Sequence, residues 1–258
     1  MIHKCLSTFK EVCLQIPTQK LRKILNTKIA QLNDIIADLD NIVTDIGFEF
    51  YRVCIFGSAR LKADSQHYKT VYDLAFALAS RNVDIVTGGG PGLMEAANLG
   101  AKAASKLSKS SKSIGLPIEL PTETSANPHL DVKYHHRRFS SRLDEFMRLS
   151  HAVVVTPGGI GTLLELLFTW QLIVVDHMVH KPVILLGKDM WEGFIDWMKK
   201  EPLSRNLVNK TDFDLLQIVD SVDEVIEILA PKITAFQSAN HNKHQLHHTD
   251  TTSLSIKK

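Results

Sequence analysis

From Leu21 to about Ile46, apolar residues at Leu21, Leu25, Ile29, Leu32, Ile35, Ile36, Leu39, Ile42 and Val43 recur at helical spacing, with no Gly or Pro before Gly47. The spacing predicts a long amphipathic helix, an N-terminal extension over residues 1–48 that caps a core or serves as a dimer arm. Its polar face mixes Asp with Lys, which argues against a role at a membrane surface. After Gly47 the period changes. Short apolar runs at Arg52–Phe56, Val83–Val86, Ser113–Leu116, Ala152–Val155 and Val183–Leu186 alternate with helical stretches. Strands that are apolar on both faces and separated by helices predict a doubly wound α/β fold on a parallel sheet, here over residues 49–232. A last helix is expected from Ser221 to Leu229, ahead of Pro231. Residues 233–258 are polar and without periodicity, and are expected to be a disordered tail whose His241, His244, His247 and His248 are solvated.

Doubly wound sheets bind ligands beyond the carboxyl ends of their strands, and two glycine clusters fall there. Thr87-Gly88-Gly89-Gly90-Pro91-Gly92-Leu93-Met94-Glu95 follows the second strand and leads into an Ala-rich helix. Thr156-Pro157-Gly158-Gly159-Ile160-Gly161-Thr162-Leu163-Leu164-Glu165 follows the fourth. Glycines let a backbone approach a ligand closely, and the helix that follows presents free N–H groups and a positive dipole end, a natural place for phosphate. Gly88, Gly89, Gly90, Gly158, Gly159, Gly161 and the Thr162 hydroxyl are therefore candidate phosphate contacts. The glycines could also serve only to make tight turns. Glu165 lies three residues past Thr162 on one helix face, where a carboxylate would meet the sugar attached to a bound phosphate. It could equally close a capping box with Thr162 as the cap. Arg142, for which Ser141 is a plausible N-cap, either pairs with Glu145 at i+3 or offers forked donors to the same pocket. Neither cluster is a G-x-G-x-x-G dinucleotide fingerprint or a G-x-x-x-x-G-K-[ST] loop, which disfavours nicotinamide cofactors and nucleoside triphosphates.

Composition narrows the partners. The 258 residues, 44% of them hydrophobic, can bury one substantial core, and 30 basic against 28 acidic residues give a net charge of +2. Nothing in that balance calls for nucleic acid or an anionic membrane. Three cysteines, Cys5, Cys13 and Cys54, lack metal-ligand spacing. No signal-like segment opens the chain and no apolar run is long enough for a membrane span, so a reduced, cytoplasmic protein with a small-molecule partner is expected. His135 and His136 read as loop residues.

Gly88-Gly89-Gly90-Pro91-Gly92-Leu93-Met94-Glu95, Arg142 and Pro157-Gly158-Gly159-Ile160-Gly161-Thr162-x-x-Glu165 together closely resemble the LOG family of cytokinin riboside 5′-monophosphate phosphoribohydrolases, often labelled "possible lysine decarboxylase". The resemblance covers about Tyr51 to Leu229. It implies a Rossmann-like, usually dimeric enzyme that hydrolyses the N-glycosidic bond of a nucleoside 5′-monophosphate to free base and ribose 5-phosphate, with Arg142 and Glu165 as the essential pair. Two departures stand out: the plant-type H-x-R-K pattern reads Ser140-Ser141-Arg142-Leu143, and the usual acidic pair reads Leu164-Glu165. The segment Ser141–Phe146 is also similar to bacterial pyrimidine/purine nucleotide 5′-monophosphate nucleosidases.

Cleavage between ribose and base passes through an oxocarbenium-like transition state, as in glycoside hydrolysis. Glu165 would stabilise its charge, hold ribose hydroxyls and orient water, while Arg142 grips the substrate. Gly57 and Ser58, in Phe56-Gly57-Ser58-Ala59-Arg60, and Met94 are further candidates for substrate contacts, and Glu119 for the base or water. The scheme needs no metal and no organic cofactor, and no feature marks a pyridoxal phosphate lysine with its pyridinium partner. The competing reading is a non-catalytic nucleotide or phosphate-ligand carrier on the same fold.

Overall fold

The computed structural model describes residues 19–30, 32, 50–108, 111–118 and 126–253. The chain divides into two compact units, residues 1–46 and 47–258. In the first, residues 19–30 and 32 are helical; the rest of the helix expected to Ile46, with Cys5 and Cys13, lies outside the described residues.

The second unit is built on seven strands: β1 (Tyr51–Phe56), β2 (Val83–Thr87), β3 (Ser113–Gly115), β4 (Val132–Lys133), β5 (Ala152–Val155), β6 (Val183–Leu186) and β7 (Leu216–Val219). All pair in parallel, in the order β4-β3-β2-β1-β5-β6-β7. The chain steps outward from β1 to β4, returns to the centre at β5, then steps outward the other way. That reversal opens a crevice beyond the carboxyl ends of β1 and β5.

Helices cover both faces. Against one lie α1 (Gln66–Ala79), α2 (Leu93–Ser108) and α6 (Val222–Ser253); against the other lie α3 (Phe139–Leu149), α4 (Ile160–Val174) and α5 (Lys188–Met198). Alternation along β1 feeds both cores, with Val53 and Ile55 packed under α1 and α2 and Cys54 and Phe56 under α3 and α4. This is the doubly wound α/β architecture that the apolar runs predict.

Two strands are additions. β4 is a two-residue edge strand that pairs only with β3, so the chain leaving β3 reaches α3 by way of this edge. β7 is a half-buried edge strand carrying Gln217, too mixed to stand out as an apolar run.

Where a disordered tail is expected over 233–258, α6 continues through Pro231 to Ser253, and residues 254–258 lie outside the described residues. Proline costs the helix one backbone donor, but Val225, Leu229 and Ile233 are buried along one stripe. Phe236 extends that stripe, its ring 4.6 Å from the His151 imidazole and 5.6 Å from the Tyr51 ring. Gln237 Nε2 donates to Arg81 O at 2.8 Å. These apolar residues fix the helix to the sheet past the proline.

Candidate functional site

Three loops meet over the crevice. Ser58 N, just past β1, donates to Pro157 O, just past β5, at 3.0 Å, stapling the two loops on either side of the reversal. Ser58 O in turn accepts from Leu93 N at 2.8 Å, so the β1 loop also holds the start of α2. Gly92 is needed for this contact: its φ is +70°, and a Cβ there would overlap Ser58 O.

The Gly88–Gly90 loop is shaped by a buried polar network. Thr87 Oγ1 donates to Asn98 Oδ1 at 2.7 Å and accepts from Gly89 N at 3.0 Å. Asn127 Nδ2 bonds Gly90 O at 3.0 Å and Asn98 Oδ1 at 2.9 Å, and Asn98 Nδ2 donates to Ser113 Oγ at 2.9 Å. Every member is partnered, the condition under which such a network rigidifies a site. Sequence reasoning missed Asn98 and Asn127, although a lone asparagine inside an Ala-rich helix was a usable signal.

The capping-box reading of Glu165 does not hold. Helix α4 starts at Ile160 with Gly159 as its N-cap, which has no side chain to bond the first turn. Thr162 is thus at the third helical position, and Glu165 lies too far inside to reach the cap. The first-turn N–H groups of α4 remain available to a ligand. Arg142 also differs from expectation. Helix α3 begins after Arg138, one turn before the Ser141 cap that the sequence suggests, so Arg142 lies inside it. Glu145 pairs with Arg148 at 2.6 Å instead.

Arg142 turns toward the crevice. Its Nε donates to Leu116 O at 2.7 Å and its Nη2 to Gly88 O at 3.3 Å, while the guanidinium carbon lies 5.1 Å from the centre of the Phe146 ring. Its Nη1 stands 3.7 Å from Glu165 Oε1. This approach explains Gly88, where a Cβ would overlap Arg142 Nη2 and come within 2.6 Å of Met94 Sδ. The Glu165 side chain is 14% exposed. Burial pushes its carboxyl up to about 7 from the usual 4.5, and the nearby guanidinium pulls it partly back. A carboxyl poised near neutrality can exchange a proton during a reaction.

These groups line one cavity of about 740 Å³, within the usual range for small-ligand sites. It brings together Gly57, Ser58, Gly88, Gly89, Gly90, Met94, Arg142, Gly159, Gly161, Thr162 and Glu165. Gly158 is not part of the lining; a Cβ there would collide with the Thr162 side chain, so it gives that side chain room. Arg60, Pro117, Ile118, His135 and Phe139 are also part of the wall. His135, expected to be a plain loop residue, therefore faces the cavity, and Glu119 lies outside the described residues. Among the described residues no three or more His, Cys, Asp or Glu side chains are placed to hold a metal ion, and no helix is long and apolar enough to cross a membrane.

The family model described as "possible lysine decarboxylase" matches residues 94–229. A cytokinin riboside 5′-monophosphate phosphoribohydrolase of Arabidopsis thaliana is 30% identical over 186 residues, which cover 64% of this chain and 83% of that protein. A pyrimidine/purine nucleotide 5′-monophosphate nucleosidase of Escherichia coli is 37% identical over 95 residues, 35% of this chain and 21% of the nucleosidase. Among solved structures, a molybdenum cofactor binding protein from Rippkaea orientalis matches with a TM-score of 0.53 at 24% identity, covering 72% of this chain and 99% of its own. The molybdenum cofactor carrier protein of Chlamydomonas reinhardtii matches with a TM-score of 0.53 at 19% identity, again covering 72% and 99%. At these identities the structural likeness is one of fold.

Proposed function

The chain belongs to the LOG family of phosphoribohydrolases, and on that premise we propose that it hydrolyses the N-glycosidic bond of a nucleoside 5′-monophosphate, releasing free base and ribose 5-phosphate. The observation that carries this reading is the meeting of Arg142 and Glu165 from two different helices, 3.7 Å apart in the cavity. The uncapped first turn of α4 opens into the same cavity.

In this scheme the phosphate sits at the first turn of α4, which aligns the sugar beside Glu165. The bond from C1′ to the base nitrogen breaks with its electron pair leaving on the base, and positive charge builds on the sugar. Glu165 in its carboxylate form stabilises that charge and accepts the proton of the water that attacks C1′. Arg142, fixed by two backbone carbonyls, keeps part of the carboxyl ionised and steadies the departing base, whose nitrogen takes up the proton that Glu165 accepted from water. Decarboxylation through a Schiff base would need a lysine at the cavity. No lysine is among the described lining residues, and half-buried Lys181 spends its ammonium on Met147 O and Ser150 O at 2.8 and 2.5 Å.

The test is to incubate the purified protein with AMP, CMP, GMP, UMP and isopentenyladenosine monophosphate and to separate the products chromatographically. Free base from at least one supports the enzyme; tight binding with no base from any leaves only the carrier. The reading includes a homodimer, because α4 exposes Ile160, Leu164 and Leu167 in one stripe, by 84%, 43% and 43%. A second copy would cover that stripe, and sedimentation at micromolar concentration showing only monomer would refute this part.

A further inference from the structure

We propose that Arg60 is the residue that grips the substrate phosphate and makes the cavity selective for phosphorylated ligands. The inference rests on the reading that the cavity takes a nucleoside 5′-monophosphate, and it starts from a charge deficit. A phosphate monoester carries about −1.5 to −2 charges at neutral pH, whereas a helix N-terminus supplies roughly half a positive charge. Glu165 sits on the same helix and carries charge of the same sign as the ligand. Arg142 does not make up the difference. Two of its nitrogens donate to the carbonyls of Leu116 and Gly88, and the third faces Glu165.

Arg60 is the other arginine lining the cavity. It is exposed, and its guanidinium makes no ion pair or hydrogen bond with another described residue. Its backbone is nonetheless fixed: Arg60 N donates to Ser58 Oγ at 3.0 Å. Ser58 N is in turn bonded to Pro157 O at 3.0 Å. Two residues beyond Pro157 is Gly159, the N-cap of α4. The turn bearing Arg60 is thus fastened to the loop that delivers the α4 first turn, and both line one cavity. A phosphate held by those N–H groups has Arg60 as the fork-shaped cation on its open side. Phosphate at this end, sugar at Glu165 and base toward Met94 and Phe139 give the ligand a single direction in the cavity.

The test compares wild type, Arg60→Gln and Arg60→Lys in the full-length protein, by titration calorimetry with ribose 5-phosphate and by kinetics with whichever monophosphate releases base. Because the side chain is exposed and bonds no other described residue, both variants should keep the wild-type melting temperature. Arg60→Gln should weaken ribose 5-phosphate binding by about ten- to a hundredfold, as expected for losing a hydrogen bond to a charged group. Arg60→Lys, which keeps the charge but loses the fork, should fall in between. For turnover, KM should rise by a similar factor with kcat nearly unchanged. Binding of ribose 5-phosphate needs no catalysis, so wild-type affinity in Arg60→Gln overturns the proposal whether or not base is released. Base release with a wild-type KM in Arg60→Gln would likewise overturn it while leaving the glycosidase reading intact.

Discussion

Replacing Glu165 with Gln should make the protein more stable at pH 8 while it destroys activity. A glutamate in the unfolded chain loses its proton near 4.5, whereas in the folded protein burial holds Glu165 protonated up to about 7. Between those values the folded state binds the extra proton, so this group's contribution to stability is full below about 4.5 and falls as pH rises toward 7. Each pH unit of displacement is worth about 1.4 kcal/mol. The ionised carboxylate therefore costs the native state about 3 kcal/mol above neutrality, an upper figure because 14% of the side chain is open to the cavity. Glutamine copies the shape of the protonated acid and cannot ionise. Its advantage over wild type should be under about 1 kcal/mol at pH 5 and reach about 3 kcal/mol at pH 8. For a chain of this length that is a rise of roughly 6–12 °C in Tm. Scanning calorimetry of both proteins from pH 5 to pH 8 provides the check. An equal or lower Tm for Glu165→Gln at pH 8, or a difference that does not change with pH, would refute the idea of a strained carboxylate.

The raised carboxyl also predicts the pH dependence of the proposed reaction: kcat/KM should climb through pH about 7 and level off above it, because the proposed scheme uses the carboxylate form and this parameter reports the free enzyme. A profile that falls through pH 7 would assign Glu165 the acid role instead. Gly88→Ala should push the Arg142 guanidinium off Gly88 O and cut activity at least tenfold. The fold should survive with a loss of about 1–3 kcal/mol from overpacking, checked by circular dichroism beside the activity assay. Ile233→Ala, in the segment expected to be a tail, should cost about 2–5 kcal/mol because Ile233 is only 3% exposed. An unchanged Tm would return that segment to the disordered reading.

The central sheet was legible because β1, β2, β5 and β6 are buried on both faces and so show as unbroken apolar runs. Edge strands β4 and β7 are covered on fewer sides, and their mixed composition carries no such signal. The glycine clusters were legible for a related reason: in the first, the Arg142 guanidinium and the Ser58 carbonyl occupy the space a side chain at Gly88 or Gly92 would need, and in the second the Thr162 side chain occupies that of Gly158. What the sequence could not decide was partner choice. Arg142 had Glu145 three residues away as a local partner, yet Glu145 takes Arg148, and Arg142 reaches residues 26 and 54 positions earlier. The Asn98–Asn127 bond spans a loop in the same way. Pro231 misled by its local cost, which burial of Ile233 and packing of Phe236 outweigh.

The most direct test of the proposed chemistry identifies the products. The wild-type protein, incubated with its preferred nucleoside 5′-monophosphate, should release free base and ribose 5-phosphate in equal amounts, and Glu165→Gln should release neither while still binding ribose 5-phosphate. Release of inorganic phosphate and intact nucleoside, or base release undiminished in Glu165→Gln, would contradict the account.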